Sequence, residues 1–459
     1  MTPTGADLWF LPLGGCGEIG MNLNLYGHAG KWLMVDCGVT FETPEGERPN
    51  GDNEVHLPDP SFIADRSEDL LGLIATHVHQ DHIGAIHYLW RQFDCPIYAT
   101  AFTAHVLEAK LRREGCAAPV HVVEPRASLV LGGFQIEWLP ITHSTVETSA
   151  LLIETSAGRV LHTADWKMDH QPVVGEPFRD RVWQQLGKLP PDAVVCDSTN
   201  ALTPGWSRSE ADLYDGLLAE VEATSGRVVV ACFASNLARL QTLGDIANKT
   251  GRYIGVLGRS LHEMIRSAKA CGYLDANFDP VPTHDLGYLP PADVMIIATG
   301  SQGEPRAALQ RLARGRHPDL ELEAGDKVIF SAKTIPGNEA GVARVLRGLE
   351  RSGIGVVHAD ETTQALHASG HPCQDELHSL YRWLQPQIAI PVHGEAAHMD
   401  ANAAIAKESG VPRSMVGSNG DLFRIAPTPS VYRGAVAAGR WVVQPNGGFK
   451  AISWSPSTS

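Results

Sequence analysis

The stretch Thr76-His77-Val78-His79-Gln80-Asp81-His82-Ile83-Gly84 decides how this chain is read. It places three imidazoles and one carboxylate within six residues, directly after the apolar run Leu70–Thr76 and ahead of the helix-forming run Ile83–Trp90. The donors therefore sit in a strand-to-helix turn whose backbone is held at both ends. Neutral imidazole and carboxylate without thiolate suit zinc, or a similar borderline metal, in a site that keeps a position open for water. One turn cannot supply every ligand for two metals, so more His and Asp are expected at strand ends farther along. They are present: His143 follows Phe134–Ile141, Asp165 follows Arg159–Thr163, and His393 follows Ile388–Val392. Each alone reads more readily as a satisfied buried histidine or a capping aspartate. Together with the first cluster they complete a ligand set.

The rest of the composition fits a large enzyme. At 459 residues the chain exceeds one ordinary core and suggests two or three domains. No apolar run approaches the ~20 residues needed to span a bilayer, and no basic segment precedes an apolar one at the N-terminus, so a cytoplasmic protein with no membrane partner is expected. Eight cysteines are scattered without a Cys-x-x-Cys pair and read as reduced core residues. Lys+Arg 37 against Asp+Glu 52 gives a net charge of −15, so unspecific capture of polyanions by a basic surface is not expected. Any nucleic acid must be held locally, where bound cations reverse the sign of the acidic residues. Arg239, Arg259 and Arg306 are candidates to line a phosphate channel. The last residues, 453–459, read as a frayed tail.

The order His-x-His-x-Asp-His, a lone His, a lone Asp and a late His resembles the metallo-β-lactamase superfamily. Further segments resemble its β-CASP nuclease branch and, within it, ribonuclease J. They include Gly14-Gly15-Cys16-Gly17-Glu18-Ile19-Gly20, Val35-Asp36-Cys37-Gly38, His162-Thr163-Ala164-Asp165 and Asp197-Ser198-Thr199-Asn200. Later come Phe233-Ala234-Ser235-Asn236, Gly258-Arg259-Ser260, Thr299-Gly300-Ser301-Gln302-Gly303-Glu304-Pro305 and Ile335-Pro336-Gly337-Asn338-Glu339. His367-Ala368-Ser369-Gly370-His371 and Pro391-Val392-His393-Gly394-Glu395 close the series. Val78 and Gln80 depart from the small and acidic residues usual in the metal turn, and neither is a ligand.

The resemblance implies an α/β fold: a four-layer αββα metallo-β-lactamase sandwich interrupted by an inserted α/β β-CASP domain. The expected division is 1–205 for the first part of the sandwich, 206–365 for the insertion, and 366–459 for the completing part and tail. Strand-helix alternation without predicted ligands, as in Arg227–Ala234 before Leu237–Lys249 and Val294–Thr299 before Arg306–Arg314, marks the insertion. The family's separate C-terminal domain finds too little chain here, so any homodimer is expected to use the two remaining domains.

Carried over position by position, the resemblance gives one metal to His77, His79 and His143, and the other to Asp81, His82 and His393, with Asp165 shared. Two Zn2+ ions per chain are expected, with Mn2+ or Mg2+ as alternatives. Asp81, Asp197 and His371 form the expected catalytic group, and Asp36 and Asp197 the carboxylates that orient imidazoles. The separation of His371 from His393, 393 − 371 = 22, matches the two late histidines of the family and gives His371 the general-acid place. Substrate contacts are expected from Ser235, Asn236, Ser301, His367, Ser369, Gly370 and His371, as hydroxyls, amides and helix N-termini that suit phosphate. The function implied is 5′-to-3′ exonucleolytic hydrolysis of 5′-monophosphorylated single-stranded RNA, with endonuclease action as a second mode. The competing readings are a β-CASP nuclease for single-stranded DNA, a small-molecule hydrolase of glyoxalase or lactonase type, and a non-catalytic RNA-binding subunit. The inserted domain argues against the second and the intact ligand set against the third.

Overall fold

The structure, a computed structural model, describes residues 1–42, 54–275, 278–335, 338–359 and 361–452. Pro336 and Gly337 of the Ile335–Glu339 motif and the tail 453–459 lie outside the described residues.

Strands with apolar residues on both faces pair into two large sheets. One has eight strands, in the order Ser430–Tyr432, Leu422–Ala426, Leu8–Gly14, Leu23–His28, Lys31–Val35, Leu70–Ala75, Ile97–Ala99 and Val120–Val122. The other has seven, in the order Arg413–Ser414, Ile388–Val392, Ala193–Asp197, Gly158–His162, Ser149–Thr155, Phe134–Pro140 and Ser128–Leu131. Side-chain alternation explains why each sheet is covered twice. In Ala193–Asp197, Ala193 and Val195 join the cluster between the two sheets, with Phe10, Val35, Ile74 and Trp138. Val194 and Cys196 face the other way, onto Leu377, Leu380 and Ile405 of the helices Gln374–Leu384 and Ala396–Glu408. On the outside of the eight-stranded sheet, Leu89 and Phe93 of Ile86–Phe93 and Leu107 of Ala101–Arg113 do the same. The result is the expected αββα sandwich.

A third sheet is built only from residues 228–358. Its five strands, Tyr253–Leu257, Val294–Ala298, Val228–Ala231, Lys327–Phe330 and Gly355–His358, all run parallel. Such a sheet needs helices on both faces, hence the unbroken apolar runs Val228–Ala231 and Val294–Ala298, every residue of which is buried. After this α/β insertion the chain returns, and Ile388–Val392 pairs in parallel with Ala193–Asp197. A fourth, four-stranded sheet joins Thr40–Glu42 and Glu54–Pro58 to Arg440–Val443 and Phe449–Ile452.

The insertion also touches the sandwich away from the third sheet. The Tyr273 hydroxyl donates to Glu147 Oε1 at 2.7 Å, while Glu147 Oε2 accepts from the Phe102 amide at 2.8 Å. His105 Nδ1 and Ser267 Oγ lie 3.0 Å apart on the facing helices Ala101–Arg113 and Arg259–Ala270.

Two helices differ from the sequence reading. The helix expected from Ile83 starts earlier, as the four-residue Gln80–Ile83, and restarts as Ile86–Phe93. The one expected over Arg306–Arg314 is confined to Ala308–Leu312, because Ala307 is extended and caps it.

Candidate metal centre

The donors converge at the carboxyl ends of strands from both large sheets. His77, His79 and His82 follow Leu70–Ala75, His143 follows Phe134–Pro140, Asp165 follows Gly158–His162, Asp197 ends its strand, and His393 follows Ile388–Val392. One ligand atom from each of His77, His79, His143 and Asp165 lies within 4.8 Å of the others, and the same holds for Asp81, His82, Asp165 and His393. A third, overlapping group is Asp165, Asp197, His371 and His393. The chain bends sharply to achieve this. Asp36, Ala164 and His393 have φ of 64°, 53° and 54°, a left-handed conformation that costs non-glycine residues free energy and clusters at functional sites.

The donor set fits metal ions. His77 Nε2 and His143 Nε2 each lie 3.1 Å from His79 Nδ1, so imidazole nitrogens face one another where a cation would satisfy them together. Asp165 Oδ2 is 3.2 Å from His82 Nε2 and 3.7 Å from both His77 Nε2 and His143 Nε2. Asp81 Oδ2 is 3.2 Å from His393 Nε2. Nitrogen and oxygen donors with no thiolate suit zinc and its borderline neighbours.

The far sides of the rings are fixed by other groups, as ligating histidines require. His82 Nδ1 donates to Asp36 Oδ2 at 2.7 Å, and Asp36 is itself held by the Thr76 amide at 2.9 Å. His143 Nδ1 donates to the Gly370 carbonyl at 2.6 Å. Glycine is needed there, since a Cβ would stand 2.6 Å from His143 Cε1. His393 Nδ1 is 2.8 Å from the Thr199 hydroxyl, which donates to Asp197 Oδ1 at 2.7 Å. His371 Nδ1 donates to Asp197 Oδ2 at 2.7 Å.

Electrostatics divide the rings into two kinds. Burial and the neighbouring imidazoles hold His77 and His143 well below the usual histidine range, and burial takes His79 down to about 4 against the pull of Asp81 and Asp165. These three are neutral donors. For His82, His371 and His393 burial also works downward, but carboxylates outweigh it. Asp165 leads for His82 and His393, the latter reaching about 10, and Asp197 leads for His371. Burial would raise Asp81, Asp165 and Asp197, yet His82, His393 and His371 respectively hold them below the usual carboxylate range.

The residues expected to grip substrate separate. His367, Ser369, Gly370 and His371 share one loop beside the donors, where Asn200 Nδ2 donates to Ser369 Oγ at 2.7 Å and to the His371 carbonyl at 3.1 Å. Burial, then Arg239 and Lys333, push the His367 ring down to about 3, and among the described residues its Nδ1 has no hydrogen-bond partner. Ser235 is half-buried. Asn236 turns inward: 5% exposed, its Oδ1 accepts from the Arg239 amide at 3.0 Å to cap the helix Leu237–Thr250, and its Nδ2 donates to Glu210 at 2.8 Å. Ser301 is 3% exposed, beside Gln302, whose amide ties down the Lys333 carbonyl and the Ile335 amide. Arg239, a sequence candidate for a phosphate channel, is 1% exposed and paired with Glu210, because its guanidinium carries the Ser331 carbonyl and Glu210 together. Arg259 and Arg306 are exposed. Asn22, 3.1 Å from His82 Nε2, escapes the sequence reading, since a lone Asn has no spacing to mark it, and Thr199, which stands inside the Asp197–Asn200 motif, carries no role there.

Similarity to known proteins agrees with this geometry. The Metallo-beta-lactamase superfamily profile matches residues 21–196, that of the Ribonuclease J, beta-CASP domain matches 225–349, and that of the Zn-dependent metallo-hydrolase RNA specificity domain matches 356–415. The chain is 40% identical over 430 residues to Ribonuclease J of Sinorhizobium meliloti, covering 92% of this chain and 75% of that one. Ribonuclease J of Mycolicibacterium smegmatis is 38% identical over 437 residues, with 94% and 77% covered. A solved structure, titled as a protein of unknown function from Enterococcus faecalis V583, shares the fold with a TM-score of 0.63 at 14% identity, covering 91% of this chain and all of that one. Relatives of this similarity along nearly the whole length place the chain in the ribonuclease J family, as a metal-dependent nuclease that hydrolyses RNA phosphodiester bonds.

Proposed function

We propose that the enzyme holds two zinc ions and degrades single-stranded RNA from a 5′-monophosphate end in the 5′-to-3′ direction, with internal cleavage as a second mode. The observation that carries this reading is the pair of four-donor groups that share Asp165. His77, His79 and His143 serve one ion, Asp81, His82 and His393 the other. When bound, such ions supply Lewis acidity toward phosphate oxygens and depress the pKa of water. The chain's own residues do the rest. Asp165 and Asp81 fix the donor geometry, and Asp36, Thr199 and the Gly370 carbonyl keep the rings oriented. His371 keeps 20% of its side chain accessible, and its proton is held by Asp197, which suits it to protonate the leaving sugar oxygen. His367, Ser369 and Ser235 supply the phosphate pocket, with Asn236 and Ser301 shaping its wall.

The domain division 1–205, 206–365 and 366–459 is supported by the five-stranded sheet, whose strands all fall in the middle segment. Among the described residues no helix is long and apolar enough to cross a membrane. Family resemblance supports a cytoplasmic enzyme, and any homodimer, weaker or differently arranged than one held by a separate C-terminal domain, would show in sedimentation of the full chain. The deciding experiment compares one RNA with 5′-monophosphate, 5′-triphosphate and 5′-hydroxyl ends, and the matching DNA, beside elemental analysis. Preference for the monophosphate and close to two zinc ions per chain are expected. Equal rates on all three ends, with internal products only, would overturn the exonuclease reading.

A further inference from the structure

The segment 202–209 joins the donor-bearing strand Ala193–Asp197 to the insertion, and its backbone is pinned more firmly than a linker requires. The Asp375 amide donates to the Gly205 carbonyl and the Gln374 amide to the Thr203 carbonyl, each at 3.0 Å. Ser207 donates to Glu376 through its amide at 2.8 Å and through its hydroxyl at 2.7 Å. Glu376 has no exposed surface and also accepts from the Met168 amide at 2.7 Å and the Cys373 amide at 2.8 Å. One buried carboxylate thus fastens three segments: the one after Asp165, the one after His371, and this one. Between Gly205 and Ser207 stands Trp206, with 54% of its surface in solvent.

A rigid backbone that presents a large exposed indole points to a ligand with an aromatic face. Trp206 lies six residues beyond Asn200, which touches Ser369 and His371, so at most about 20 Å of chain separates it from the catalytic loop. Stacking on an indole is sequence-tolerant and independent of net charge. That suits a chain of net charge −15, which cannot rely on phosphate attraction alone. We propose that Trp206 is a stacking platform for one base of the single-stranded RNA, held in place by Glu376. The assignment rests on the nuclease reading of the adjoining centre.

The test uses the full-length enzyme, with Trp206→Ala and Trp206→Phe, on a 5′-monophosphorylated RNA and on copies carrying one abasic nucleotide at each position in turn. Hydrolysis of bis(p-nitrophenyl) phosphate, which has no base to stack, normalises for damage to the centre. Trp206→Ala is expected to raise KM for RNA roughly 5- to 150-fold, the equivalent of one stacked base, and Trp206→Phe to recover most of it. At one position the abasic substitution should weaken the wild type by a similar factor and leave Trp206→Ala unaffected. Unchanged KM in Trp206→Ala, or no abasic position whose effect vanishes in that variant, overturns the stacking while RNA cleavage by the wild type leaves the nuclease reading standing. A wild type that cleaves no RNA overturns both. If Trp206→Ala instead converts a dimer to a monomer with abasic effects unaltered, the indole is a subunit contact and the proposal fails.

Discussion

The donor cluster and the polar turns of the inserted sheet are built from similar residues in similar places, turns that follow buried strands, yet their side chains do opposite things. After Leu70–Ala75 and Ile388–Val392 the polar groups point at groups from other strands, and up to four ligand atoms meet within 4.8 Å. After Val228–Ala231 and Val294–Ala298 they are spent on fastening backbone, Asn236 capping its own helix and Gln302 tying down the loop after Lys327–Phe330. Imidazoles crowded to 3.1 Å, with carboxylates beside them, are costly without a cation. A capping amide costs nothing of the kind. Polar residues at strand ends therefore become evidence of chemistry when groups remote in sequence converge on them.

Replacing His82 by Ala tests this most strongly. RNA cleavage should be abolished and metal content should fall, with circular dichroism retained; a fully active variant would break the two-ion reading. His371→Ala should lower turnover by roughly 10²- to 10⁴-fold with metal content unchanged, as loss of a general acid does. If metal is lost instead, His371 belongs among the ligands. Asn236→Ala should act on the fold, lowering unfolding free energy by about 1 kcal/mol in denaturant melts, with the preference for 5′-monophosphate retained. Lost preference without lost stability would return Asn236 to the pocket.

The smallest expected effect is at the Glu147–Tyr273 contact between insertion and sandwich. Burial and the Glu147 carboxylate raise the Tyr273 hydroxyl above its usual value of about 10. The folded state therefore holds this proton more tightly than the unfolded chain. Its contribution is complete below about pH 10 and is lost as pH rises through the higher folded value. Tyr273→Phe should lower Tm at neutral pH, and the difference from wild type should shrink above about pH 10. No difference at neutral pH would show that the hydroxyl contributes nothing, and a difference that stays constant above about pH 10 would show that its titration is not linked to folding.

The sequence carries the sandwich, the insertion and the donor positions plainly, because buried strands leave apolar runs and metal ligands leave His and Asp at their ends. Ile388–Val392 forms over the residues expected of it, and Val294–Ala298 ends one residue short. The inward fate of Asn236 and Arg239 is not legible, since it depends on Glu210 and Ser331, brought near only by folding. Glu376 is hidden for the same reason: its partners Met168, Cys373 and Ser207 lie in three separate stretches of chain.

The late return of Ile388–Val392 to the sheet beside Ala193–Asp197 means that the donor set spans residues 77 to 393. At about 5–20 residues per second, roughly 15 to 60 seconds pass on the ribosome between synthesis of His82 and of His393. Until Asp165 is made, the group of Asp81, His82, Asp165 and His393 has two of its four donors, and from Asp165 onward it has three and lacks the strand that presents the last. The second donor group therefore cannot close until most of the chain has been translated.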